Sequence, residues 1–79
     1  MEELLSARSL TRLGSAVRRL RSDRGLTQEE LADAAGVSRL WLSRLENGQR
    51  PGLELSLLLQ VLDALDASLL IRDDRAAAG

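Results

Sequence analysis

Apolar residues recur along this chain at the three- and four-residue steps of a helix, and polar breaks divide them into four blocks. The first block carries Leu10, Leu13, Val17 and Leu20 on one face, so the spacing predicts a helix capped by Ser9 and running to about Arg24. Gly14 inside it costs about 1 kcal/mol relative to Ala, which a close helix contact or the chain entry would explain. Arg24-Gly25 closes that helix and Leu26 drops into the core. The second block is Leu31, Ala32 and Ala35, introduced by Thr27 with Glu30 three residues on, the pairing of a capping box. Gly36 lets the chain leave that helix sharply. Val37 is expected as a buried plug and Ser38 as the next N-cap. Leu42 and Leu45 then turn back onto the helix before, and Asn47-Gly48 ends the third block. After the turn segment Gln49-Arg50-Pro51-Gly52, a fourth helix is expected from Leu53 or Glu54 to Leu65. Its main stripe reads Leu55, Leu58, Leu59, Leu62 and Leu65, with Leu57 and Val61 as a second apolar edge. That is more apolar surface than a small helical core requires, and the surplus predicts a subunit contact.

Beyond Asp66 the pattern changes. Ser68-Leu69-Leu70-Ile71-Arg72 is too short for a stable helix and suits a strand. A lone strand leaves backbone groups unpaired, and a second copy of the chain across a two-fold axis is the economical partner. The alternative is a last helical turn that frays. The expected organisation is a lead-in over residues 1–8 and a helix-turn-helix domain over 9–66. A dimerisation strand over 67–72 and a solvated, flexible tail over 73–79 follow. The fold class is all-α, with four to five helices and a short C-terminal strand paired in a dimer.

A length of 79 residues makes one domain with a modest core. There is no Cys, His, Tyr or Phe, which removes disulfides and the usual zinc sites. Without thiol, imidazole or phenol, and with no carboxylates and serines at nucleophile–base spacing, an enzyme is not expected. No cofactor or metal is expected either. No apolar run reaches membrane-spanning length and the acidic start MEELLSAR lacks a signal peptide's basic region. A cytoplasmic protein with no membrane partner is therefore expected. The net charge of −1 argues against DNA binding at first sight. Its distribution matters more: nine Arg lie between Arg8 and Arg50 against Asp23, Glu29, Glu30, Asp33 and Glu46, and the acidic excess comes after Pro51. A solvated mixed surface would account for the same asymmetry.

Helix, glycine turn and capped second helix together have the spacing of a DNA-binding helix-turn-helix; an αα-hairpin inside an unrelated bundle is the plain alternative. The stretch Gly25-Leu26-Thr27-Gln28-Glu29-Glu30-Leu31-Ala32, then Ala35-Gly36-Val37-Ser38, Leu42-Ser43 and Leu45-Glu46-Asn47-Gly48, resembles the lambda-repressor-like (Xre) family. The resemblance implies a transcriptional repressor binding double-stranded DNA as a homodimer on an inverted repeat. It implies base contacts from Ser38, Arg39, Leu40, Ser43 and Arg44. Arg39 is the sharpest of these, because a guanidinium can pair with guanine O6 and N7. Phosphate contacts are implied for Thr27, Gln28, Asn47, Gln49 and Arg50. Plain alternatives stand beside them: Arg39 touching phosphate alone, Leu40 as a stray exposed residue. Trp41 is expected to pack on neighbouring helices rather than read bases. Arg21 and Glu46 hold the positions of a family ion pair joining the first helix to the end of the recognition helix. Residues 61–71, VLDALDASLLI, resemble the end of the HipB-type antitoxin branch, which implies dimerisation partly through a strand carrying Leu69, Leu70 and Ile71, beside the subunit contact expected at Leu57 and Val61. The same resemblance implies pairing with a HipA-like kinase toxin. A regulator without a toxin, and a protein–protein adaptor with vestigial DNA contacts, are the competing functions.

Overall fold

The computed structural model describes residues 3–75, in four α-helices: α1 Leu10–Asp23, α2 Gln28–Ala35, α3 Arg39–Glu46 and α4 Leu55–Ala64. The expected fold class is therefore observed in its all-α, four-helix form. Met1 and Glu2 of the lead-in and residues 76–79 of the tail lie outside the described residues.

Local chemistry sets the boundaries. Ser9 caps α1 by accepting from the Arg12 N–H. At α2 the Thr27 hydroxyl accepts from Glu30 N at 3.0 Å and the Glu30 carboxylate accepts from Thr27 N at 2.9 Å, so both halves of the capping box form. The backbone bond to Thr27, then its hydroxyl, hold the Glu30 carboxyl below its ordinary range. Gly36 at φ 74 reverses the chain after α2, and Val37 N donates back to Ala32 O at 3.0 Å. The same left-handed exit ends α3 at Gly48, where Gln49 N reaches Arg44 O at 2.8 Å.

The core joins all four helices through Val17, Leu31, Ala32, Ala35, Trp41, Leu42, Leu45, Leu58, Val61, Leu62 and Leu65. α2 packs on α3 and α4, and α1 packs on α3. Gly14 is explained by the last of these contacts. A Cβ there would lie 2.2 Å from the Leu45 carbonyl oxygen, so only glycine lets the two backbones come this close. Leu13 and Leu20 are half-buried along α1, beside a groove flanked by residues 3–7 and 66–70.

Two expectations are corrected. Val37 is half-buried against the core rather than a fully buried plug. Val61, expected at a subunit contact, is fully buried inside its own protomer. The helix turns Leu58, Val61, Leu62 and Leu65 inward and leaves Leu55 and Leu59 exposed, with Leu57 half-buried. The reason lies in α4 itself. Nearly every position from Leu55 to Leu62 is apolar, so periodicity alone does not choose which stripe faces α2. Residues 67–72 form no strand within the chain, and Leu69, Leu70 and Ile71 are exposed. In the lead-in, Glu3 pairs with Arg19 at 3.0 Å, and Arg8 meets Asp74 of the tail at 3.5 Å.

Candidate nucleic-acid interface

The eight residues of α3 divide into two stripes of four. Trp41, Leu42, Leu45 and Glu46 are buried; Arg39, Leu40 and Arg44 are exposed and Ser43 is half-buried. The outward stripe collects the side chains expected to contact bases. Leu40 is 59% exposed, so its side chain is available to an outside apolar partner. Among the described residues, neither Arg39 nor Arg44 makes an ion pair. Ser38 stands at the N-terminus of the stripe, its hydroxyl accepting from Trp41 N at 3.0 Å. That bond uses an acceptor site and leaves the hydroxyl proton to donate.

A buried carboxylate fixes this helix in place. Glu46 is 4% exposed and accepts three hydrogen bonds. Two come from one guanidinium, Arg21 Nε at 2.7 Å and Nη2 at 2.9 Å, and the third from Gln28 Nε2 at 3.1 Å. The remaining nitrogen, Arg21 Nη1, donates to Leu26 O at 2.9 Å, just before the α2 cap. Hydrogen bonding to Glu46 raises the Arg21 pKa. One cluster thus ties α1, the entry to α2 and the end of α3, the junction expected for Arg21 and Glu46.

Gln28 opens α2 and spends one amide N–H on Glu46, which leaves the second for an outside acceptor. The first backbone N–H groups of α2 lie beside it, a favourable setting for an anion. Thr27, Asn47 and Gln49 are exposed at the same end of the motif.

Arg50 is placed differently from its expectation as an outward phosphate contact. It folds back over the Trp41 ring at 5.4 Å from the centroid, and its Nη2 donates to Glu54 Oε1 at 2.7 Å. The other Glu54 oxygen accepts from Trp41 Nε1 at 3.3 Å. Glu54 consequently gives α4 no side-chain cap, although it occupies the N-cap position. The hydrogen bond from Arg50 is the main cause that holds its carboxyl below the usual range. Glu54 is not singled out by the sequence pattern. The four-residue spacing from Arg50 was visible, but the intervening Pro51-Gly52 marked a turn and not a pairing helix face.

Comparison with known proteins agrees with this geometry. A helix-turn-helix domain family model matches residues 12–78. The transcriptional regulator PrpR of Mycobacterium tuberculosis is 43% identical over 60 residues, 76% of this chain and 12% of that protein. This chain therefore corresponds to a small part of that regulator. The restriction-modification controller protein C.AhdI of Aeromonas hydrophila superposes with a TM-score of 0.71 at 37% identity, covering 75% of this chain and 88% of that one. HipB in complex with an O4 20-mer superposes with a TM-score of 0.79 at 28% identity, covering 89% of this chain and 97% of the other. HipB is similar in a HipA–HipB–O2–O3 complex as well.

Proposed function

The chain belongs to the lambda-repressor-like (Xre) helix-turn-helix family of DNA-binding transcriptional regulators, and from that premise we propose that it represses transcription as a homodimer on an inverted-repeat operator. The observation that carries this reading is the outward stripe of α3. Arg39, Leu40, Ser43 and Arg44 face away from the core while Glu46, behind them, is held by three hydrogen bonds. In this reading Arg39 reads a guanine, Leu40 packs on a thymine methyl, and Ser38, Ser43 and Arg44 complete the base-edge contacts. Thr27, Gln28, Asn47 and Gln49 fix the register on phosphates. The second copy joins through Leu69, Leu70 and Ile71, with Leu55, Leu57 and Leu59 as the accessible part of α4. Two recognition helices about 34 Å apart would then meet successive major-groove faces of one operator.

Selection of duplexes from a randomised pool tests the reading. The expected product is an inverted repeat bound with affinity that falls as salt rises, by about 0.9 in log–log slope per phosphate neutralised. Arg39→Ala should relax preference at one base pair per half-site, by about 1–3 kcal/mol. A uniform loss with preference intact would move Arg39 to the phosphate class.

A second role is supported by the likeness to HipB across 97% of its chain. Here the chain is the antitoxin of a HipA-like kinase and represses their shared operon. Co-purification with the product of an adjacent kinase-like gene tests that role; an unbound kinase would leave a regulator without a toxin.

A further inference from the structure

We infer that Glu54 sets the affinity of this protein for DNA by holding Arg50 in reserve, and that the duplex draws the Arg50 guanidinium from Glu54 to a backbone phosphate. The inference rests on the DNA-binding reading and adds to it a competitor built into the protein.

Arg50 lies two residues beyond Gly48, just after the recognition helix, between exposed Gln49 and Pro51. Its guanidinium is restrained on two sides, by the Trp41 ring at 5.4 Å and by Glu54 Oε1 at 2.7 Å. Glu54 is itself oriented by Trp41 Nε1 at 3.3 Å, so three residues from α3, the loop and the start of α4 close one cluster. The restraint is incomplete. Only one guanidinium nitrogen reaches the carboxylate, and Arg50 Nε is buried with no acceptor among the described residues. The Glu54 side chain is 46% exposed, so solvent screens the pair and weakens it.

A phosphate is the better partner. It accepts from two guanidinium nitrogens in parallel, so an Arg50 that leaves the ring gains an acceptor for Nε as well as for Nη2. The carboxylate competes for the same donor and adds a like charge beside the phosphate. Glu54 therefore lowers affinity without touching DNA, and Trp41 positions both groups.

The test uses the full chain and the duplex that wild type selects from a randomised pool. Binding is measured by anisotropy for wild type, Glu54→Gln, Arg50→Gln, the double variant, and Glu29→Gln as a control for loss of one negative charge. Glu54→Gln should bind about two- to fivefold tighter per half-site, beyond any gain from Glu29→Gln. That excess should vanish in the Arg50→Gln background, because the two side chains act through one contact. Trp41 is the sole tryptophan and gives a second readout. Emission of DNA-free Glu54→Gln should lie nearer the DNA-bound wild-type spectrum than the free one. Equal gains for Glu54→Gln and Glu29→Gln, or an excess that persists without Arg50, would overturn the inference while leaving DNA binding in place. Failure of wild type to select any duplex would sink the DNA reading and this inference with it.

Discussion

Two arginine–glutamate pairs flank the recognition helix, and they do different things with the same chemistry. Arg21 and Glu46 meet through two parallel hydrogen bonds, with side chains 14% and 1% exposed. Arg50 and Glu54 meet through one, at side-chain exposures of 22% and 46%. Burial and bond count separate them. The inner carboxylate has no access to water and depends on its partners. In the outer pair the arginine can exchange its carboxylate for solvent or for another anion at little cost. The comparison teaches that the inner pair belongs to the fold and the outer pair is available to function.

The largest expected effect breaks the inner pair. Arg21→Ala strands a buried carboxylate and should destabilise the protein by about 3–5 kcal/mol in denaturant melts. Arg18→Ala, on the exposed face of α1, should change stability by less than about 0.5 kcal/mol. Equal melting temperatures for the two variants would contradict the account of Arg21. Next comes the contact that lets the inner pair form. Gly14→Ala places a methyl group against the Leu45 and Glu46 carbonyls, so α1 must shift away from α3. A net loss of about 1–3 kcal/mol is expected despite the better helix propensity of alanine; a stabilised variant would show that the helices do not meet this closely. The outer pair should matter much less to the fold. Arg50→Gln should cost no more than about 1 kcal/mol, and a loss matching that of Arg21→Ala would erase the distinction between the pairs.

The smallest effect is in acid. The folded Glu30 and Glu54 carboxyls both sit below their ordinary values. Their contribution to stability is full above the unfolded value, about 4.3 for Glu, and is lost as pH falls through the lower folded values. Melting temperature should therefore decline more shallowly below pH ~4.3 in Glu30→Gln than in wild type. The substitution keeps a side chain that can still close the capping box. An unchanged acid slope would remove Glu30 from that balance.

Much of this was legible in the sequence, because the informative residues act locally. Thr27, Glu30, Gly36 and Ser38 specify caps and a turn whatever surrounds them, and α2 and the start of α3 lie where those signals put them. The outward stripe of α3 followed from the inward one. What failed to show was the choice among equivalents. The leucine-rich α4 offers several apolar faces, and only the shape of α2 and α3 buries Val61 and exposes Leu59. Nor did the sequence disclose that Gly14 is needed for a backbone approach, or that Arg50 folds back on Trp41, since both depend on elements more than eight residues away meeting in space.

The most direct test of the central claim, that the outward face of α3 reads a duplex, is the base-preference profile of wild type beside Arg39→Ala, taken from one randomised pool. The account predicts an inverted repeat for wild type and a loss of preference confined to one position in each half-site for the variant. Identical profiles for the two proteins, or a wild type that selects no sequence at all, would contradict it.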